Sequence, residues 1–148
     1  MAAAVRKLSA VYSDRYLQQS SLLFGGRMRL WHEDMIEKLP RGQLLGQHRE
    51  CCALRGNGWG RPHATVNYVF KYSPYLLYRY HRLVMEEMER RGYKASAEWL
   101  DKNYRGKTCP PYDTLEVVEV RKPVYTEHDE RYYLECVKNL EGKGITLK

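Results

Sequence analysis

One carboxylate is set apart by its company. Glu50 is the only acid in residues 39–63, LPRGQLLGQHRECCALRGNGWGRPH, a stretch that also carries Arg41, Arg49, Arg55 and Arg61. An acid among cations stays ionised, because neighbouring positive charge favours the charged form. His48 lies two residues before it, and the two together could serve proton transfer on a nucleoside or glycosidic substrate. The plain alternative is a solvated charge on a helix face. His48, His32, Glu50 and Cys52 match no standard metal-ligand spacing, so no metal is expected there. Cys51, Cys52, Cys109 and Cys136 show no C-x-x-C spacing and no disulfide framework.

The element that must hold Glu50 is a helix over about 41–55. Pro40 suits its first turn, and Gly56-Asn57-Gly58 closes it with residues that accept positive φ. At about 100° per residue, Leu44, Leu45, His48, Cys51 and Cys52 fall on one side while Gln43, Gly46 and Glu50 fall on another. Glu50 therefore leaves the helix away from the apolar stripe.

The chain of 148 residues is one domain's worth, and its formal charge of +7 is unevenly spread. Residues 41–94 hold ten Lys and Arg against four Asp and Glu, whereas residues 95–148 are close to balance. A basic block interleaved with tyrosines suits a polyanion, since cations neutralise phosphates and rings stack on bases. A mildly basic surface that serves only solubility is the competing account. No apolar run approaches the roughly 20 residues needed to span a bilayer. Free thiols without a secretory signal point to a reducing, cytoplasmic compartment.

Read in order, residues 1–27 form an extension, disordered or an upstream mis-start, because Gly25-Gly26-Arg27 before Met28 could encode a ribosome-binding purine run. Residues 28–148 form a single domain. RLWHEDMIEKL enters extended, passes into a short helix and packs on the central helix; HATVNYVFKY is extended or a short helical turn. Ser73 and Pro74 open a strong helix that runs to Gly92, with Leu76, Leu77, Tyr80, Leu83, Val84 and Met88 inward and Glu86–Arg90 and Glu87–Arg91 paired outside. Ser96 opens a short helix with Trp99 and Leu100 inward. LEVVEVR at 115–121 has the local character of a strand without an obvious partner. Thr126 caps a last helix carrying Tyr133, Cys136, Val137 and Leu140 inward. The expected fold is mainly α, a compact single-domain helical bundle with irregular loops and at most a minor β element.

The order and spacing of MRLW at 28–31, LLGQHRE at 44–50, H-x-T at 63–65 and EEMERRGY at 86–93 resemble the pyrimidine-dimer DNA glycosylase (phage-type endonuclease V) family. The resemblance covers roughly residues 28–106 and is closest to short prokaryotic members that open with MRLW. It implies a helical domain whose N-terminal α-amine attacks the sugar C1′ of a damaged nucleotide. A glutamate assists, and the resulting imine undergoes β-elimination that nicks the strand. It places Arg49-Glu50 on the family's Arg-Glu pair and Met28 on its initiator methionine, so Met28 would supply the amine if it is the true N-terminus. Arg29 follows Met28 here, where the family exposes a small residue after methionine removal. Ala53 stands at a basic position of the family, and Tyr132 and Tyr133 are a loose substitute for its aromatic tail.

The expected activity is that of a DNA repair enzyme, a glycosylase with AP lyase chemistry acting on damaged double-stranded DNA. Glu50, Met28 and Arg49 are its catalytic candidates, with Arg29, Arg41, Arg49, Arg55, Arg61, His63 and Lys71 on DNA. If the α-amine is blocked, Lys38 or Lys71 is nearest in sequence to replace it. No cofactor, no membrane and no obligate protein partner is called for. The competing readings are a non-catalytic nucleic-acid binder of the same fold and the nucleoside or glycosidic enzyme that uses Glu50 and His48.

Overall fold

The computed structural model describes residues 28–62 and 65–147, so the extension 1–27 and His63 lie outside the described residues. Three α-helices and three 3-10 helices follow one another, and no strand occurs among the described residues. The fold is mainly α.

Helix α1 spans Arg41–Arg55. Pro40 sits at its N-cap with φ −59°, and its carbonyl accepts the N–H of Leu44 at 3.0 Å. The helix stops where the sequence predicts, but for a different physical reason. Gly56 has φ −92°, so the positive φ expected of it is not taken up there. What glycine provides there is closeness: a Cβ at Gly56 would lie 2.7 Å from the Arg105 carbonyl oxygen, and one at Gly58 2.7 Å from that of Ala53. Within this corner the positive φ falls to Gly60, at +78°.

Helix α2 spans Pro74–Arg90. The Ser73 hydroxyl accepts the N–H of Tyr75, Pro74 fills the first turn where a missing N–H costs nothing, and Gly92 turns the chain away at φ +83°. Leu77, Tyr80, Val84 and Met88 are buried as expected, whereas Leu76 and Leu83 are half-buried. α1 packs mainly against α2, and the core they share includes Leu44, Cys51, Leu54, Leu77, Tyr80 and Val84. Each large apolar side chain so removed from water contributes roughly 1.5–3 kcal/mol.

Of the two expected pairs Glu87–Arg91 forms, though Glu87 is buried rather than outside, and Glu86–Arg90 gives way to other partners. Glu87 is buried and accepts from both Arg90, at 2.8 Å, and Arg91, at 2.6 Å, while Glu86 meets Arg82 and the far side of Arg90 meets Glu37. Arg91 goes on to donate to the carbonyls of Leu39 and Glu37. Those carbonyls end the 3-10 helix Glu33–Lys38, which packs mainly on α2, while Arg29 and Trp31 before it meet Gln47 of the central helix as expected. A second 3-10 helix, Asn67–Lys71, also lies on α2. In the third, Ala97–Leu100, Trp99 turns inward but Leu100 is exposed, because one 3-10 turn cannot bury two successive side chains on one face.

Residues 115–121 form no strand. With no neighbouring strand to pair with, the segment is held at its start by Leu115, whose carbonyl accepts from Lys102 and whose N–H donates to Asn103. Helix α3 spans Glu130–Gly142 and is capped by Asp129, whose carboxylate accepts the N–H of Tyr132 at 2.8 Å; Thr126 instead bonds the Tyr72 hydroxyl. α3 buries Cys136 and Leu140, with Tyr133 and Val137 half-buried. Among the described residues no helix is long and apolar enough to cross a membrane.

Candidate active site on helix α1

Glu50 is not on a solvated face: it is only 8% exposed. The helical period places it away from the apolar stripe, on the flank where the backbone of Met28–Trp31 is tied to α1. Gln47, one turn before Glu50, joins the two. Its Oε1 accepts the N–H of Trp31 at 2.6 Å and the hydroxyl of Tyr80 at 2.8 Å, while its Nε2 donates to the carbonyl of Arg29 at 3.0 Å and to Glu50 Oε2 at 3.1 Å. Two distinct acceptors on one end and two donors on the other fix which way the amide points. Tyr80 donates a bifurcated bond, its second acceptor being the Trp31 carbonyl.

Gln47 is a site residue that sequence reasoning passed over. Its spacing of three from Glu50 was the available signal, because i and i+3 share a helix face. A second is Lys143, whose Nζ stands 5.2 Å from the centroid of the Trp31 ring and whose charge interacts with Glu50 and Arg29.

The candidate cations divide by position. Arg29 belongs to the segment tied to Gln47, and its side chain lies 3.3 Å from Glu135 and 5.6 Å from the Tyr132 ring centroid. Arg49 is half-buried next to Glu50 on α1. Arg41 is exposed over the Tyr93 ring, nine residues earlier and so about 13 Å along the axis. Arg61 is exposed in the corner after α1, and Lys71 is exposed at the end of its 3-10 helix. Met28 is in the core, 2% exposed.

Arg55 is on a different flank and has a different task. It is 5% exposed, and its guanidinium donates to the carbonyls of Trp99, Asp101 and Tyr104 and to His81 Nδ1 at 3.0 Å, between the rings of Trp99 and Tyr78. It is an internal strut that pins the 97–104 segment to α1. Because a guanidinium cannot accept, His81 Nδ1 must; His81 Nε2 then carries the proton and donates to His48 Nδ1 at 2.8 Å. Burial, reinforced by the charges of Arg49 and Arg55, lowers the His48 pKa to about 4; burial, with His48 and Arg55, lowers that of His81 far below its usual value. Both rings are neutral at pH 7.

Cys52 lies 3.8–4.0 Å from these rings, and the ligand atoms of His48, Cys52 and His81 all fall within 4.8 Å of one another. This trio does not fit a resident divalent cation. His81 is already bonded on both nitrogens, burial raises the Cys52 thiol far above its usual range, and the Arg55 guanidinium would stand against the ion. His32, the other histidine weighed as a ligand, is elsewhere, stacked 5.4 Å from His128.

The site thus consists of a buried carboxylate held by a fully bonded amide to the segment that starts at Met28, with cations around it. In comparison with known proteins, the family described as pyrimidine dimer DNA glycosylase matches residues 28–101, from the buried methionine through the Ala97–Leu100 turn. No curated protein and no solved structure matches the chain. Since the matched region is half of the sequence and contains α1, α2 and the Glu50 flank, the chain belongs to the pyrimidine dimer DNA glycosylase family.

Proposed function

We propose that the protein is a cytoplasmic DNA repair enzyme that removes a dimer-damaged pyrimidine from duplex DNA and then cuts the strand as an AP lyase. The observation that carries this reading is the Gln47 bridge: one side-chain amide contacts both the Arg29 carbonyl and Glu50 Oε2, which supports a Met28 amine acting beside that carboxylate. In a chain that begins at Met28, the unprotonated amine attacks C1′. The C1′–base bond breaks, and the base leaves with the bonding electrons and gains a proton. Glu50 stabilises the cationic character at the sugar and moves protons as the C1′–O4′ bond breaks, O4′ takes up a proton and the C1′=N imine forms. Loss of the C2′ proton with departure of the 3′ phosphate completes the nick. Arg29, Arg49, Arg61 and Lys71 are the cations offered to the phosphates, and the four thiols, free in the structure, suit a reducing compartment.

Glu50→Gln tests this directly, because it keeps shape and the bond from Gln47 while removing the charge. Glycosidic-bond cleavage and nicking of dimer-containing duplex should fall by roughly a hundredfold or more, with duplex binding retained. A variant that unfolds readily yet cuts normally in its folded fraction would make Glu50 scaffolding. A parent protein that binds DNA without cutting it in either the full or the Met28-initiated form would leave a non-catalytic binder.

A further inference from the structure

Lys143 comes from the far end of the chain, outside the region matched by the family, yet its amine lies at the Glu50 flank. The fold fixes it there. α3 ends in a tight turn in which the N–H of Lys143 and of Ile145 both donate to the Leu140 carbonyl at 2.9 Å, and Gly144 takes φ +78°. Ile145 and Leu147 then pack against the main core, so Lys143 projects from an anchored turn. Its Nζ rests on the ring of Trp31, the residue whose N–H is held by Gln47, whose other end holds Glu50.

Part of this placement has a structural explanation. A lysine at a helix C-terminus complements the helix dipole, and a cation over an indole ring is favourable by itself. Neither accounts for its carboxylate neighbour. Partial burial lowers the Lys143 pKa, with the Glu50 charge acting in the other direction, so the ammonium is less strongly held than a solvated one and has a base within electrostatic reach. The lysines nearest to Glu50 in sequence are placed otherwise. Lys38 Nζ is 3.4 Å from the Tyr133 hydroxyl and lies over that ring, and Lys71 is at the exposed end of the Asn67–Lys71 turn.

We propose that Lys143 is a second catalytic amine of this site, the one that forms the imine with abasic DNA when the nitrogen of Met28 lies in a peptide bond. The proposal rests on the lyase reading above. Glu50 takes a proton from the Lys143 ammonium, and the freed nitrogen adds to the C1′ aldehyde of the opened sugar. The carbinolamine hydroxyl regains that proton from Glu50 and leaves as water, forming the C1′=N iminium. Glu50, again a carboxylate, takes a C2′ proton; a C2′=C3′ double bond forms as the C3′–O bond breaks and the 3′ phosphate departs. Water then hydrolyses the imine and returns the lysine. No oxidant, reductant or metal enters.

The test uses the full 148-residue chain, in which Met28 follows Arg27, with duplex DNA carrying one abasic site and sodium borohydride to reduce the imine to a stable secondary amine. The expected result is a covalent adduct that maps by mass spectrometry to Lys143. Lys143→Arg keeps the charge and the helix end but replaces the amine with a guanidinium that stays protonated, so trapping and nicking should fall by roughly a hundredfold while duplex affinity stays close to that of the parent. In the parent, Glu50→Gln should also shift the pH dependence of trapping, because the base that deprotonates Lys143 is gone. An adduct on Met1 or on another lysine, or undiminished trapping by Lys143→Arg, overturns the proposal. Nicking by the parent without a Lys143 adduct sinks the Lys143 role and leaves the lyase reading standing; absence of both nicking and trapping, in this chain and in one begun at Met28, sinks both.

Discussion

Helix α1 buries polar side chains on two flanks, and the flanks follow different rules. Around His81, the donors of Arg55 meet three carbonyls and a ring nitrogen, the tautomers are fixed in series, and both histidines are held neutral. Around Gln47 the amide is equally saturated, but one of its partners is a carboxylate with lysine and arginine charge nearby. The first flank uses polarity to lock elements together. The second spends the same kind of bonding on orienting a single group that can exchange protons. A buried polar cluster therefore points to chemistry when satisfied neighbours leave a titratable group with charge beside it.

Four measurements would break or sharpen that contrast. Arg55→Ala should have the largest effect, destabilising the protein by about 4 kcal/mol in urea unfolding, because it strands three carbonyls and His81 and removes packing on Trp99 and Tyr78. The DNA affinity of its folded fraction should stay near that of the parent; weaker DNA binding without loss of stability would move Arg55 onto the DNA face. Gln47→Leu should cost about 3 kcal/mol by taking the amide away from the Trp31 N–H and the Arg29 carbonyl. Unlike the Arg55 variant, it should also abolish cutting in the molecules that remain folded.

Acid supplies the third comparison. Unfolded histidine titrates near 6.5, and folded His48 near 4, so below pH 6.5 the unfolded chain binds the proton that the native ring refuses. Stability from this group is fully present above 6.5 and declines by up to about 1.4 kcal/mol per pH unit on going down toward 4. Burial, helped by His32, lowers His128 similarly, to about 3. Urea midpoints that stay flat between pH 7.5 and 4.5 would show that these histidines are not buried neutral. The smallest effect belongs to exposed Arg61: its alanine variant should weaken duplex binding by roughly 1 kcal/mol and reduce the salt slope by about one charge, whereas Arg90→Ala, already engaged with Glu87, should leave binding unchanged.

Local signals carried far in this sequence, and distant ones did not. The ends of α1 and α2 are legible because caps act over a few residues: Ser73, Pro74 and Gly92 bracket α2 with no help from elsewhere. The corner after α1 was legible as glycine but not in mechanism, since the atom that excludes a Cβ at Gly56 belongs to Arg105. Gln47 links Glu50 to the backbone of residues 28–31, a contact that no helical wheel contains. Arg55 looks like a surface cation until Trp99, Asp101 and Tyr104 bring their carbonyls to it. Lys143 could not be paired with Glu50 by any spacing rule, because the turn at Gly144 and the seating of α3 put it there. The strand propensity of 115–121 failed for the reason its sequence already contained, the lack of a partner.

The segment Met28–Trp31 belongs to no helix, and its backbone is held by side chains from three of them: Gln47 of α1, Tyr80 of α2, and Tyr132 of α3, whose hydroxyl donates to the Leu30 carbonyl across 102 residues of sequence. This imposes an order on folding. The α1–α2 pair can assemble through contacts close in sequence and already offers Gln47 and Tyr80 to this segment, but the segment gains its Tyr132 bond only when α3 docks, at the loop-closure cost of a separation of 102 residues. The Glu50 flank is therefore completed only when three helices are docked, and undocking of α3 on heating or in denaturant should remove one of its ties while α1 and α2 keep their helical signal.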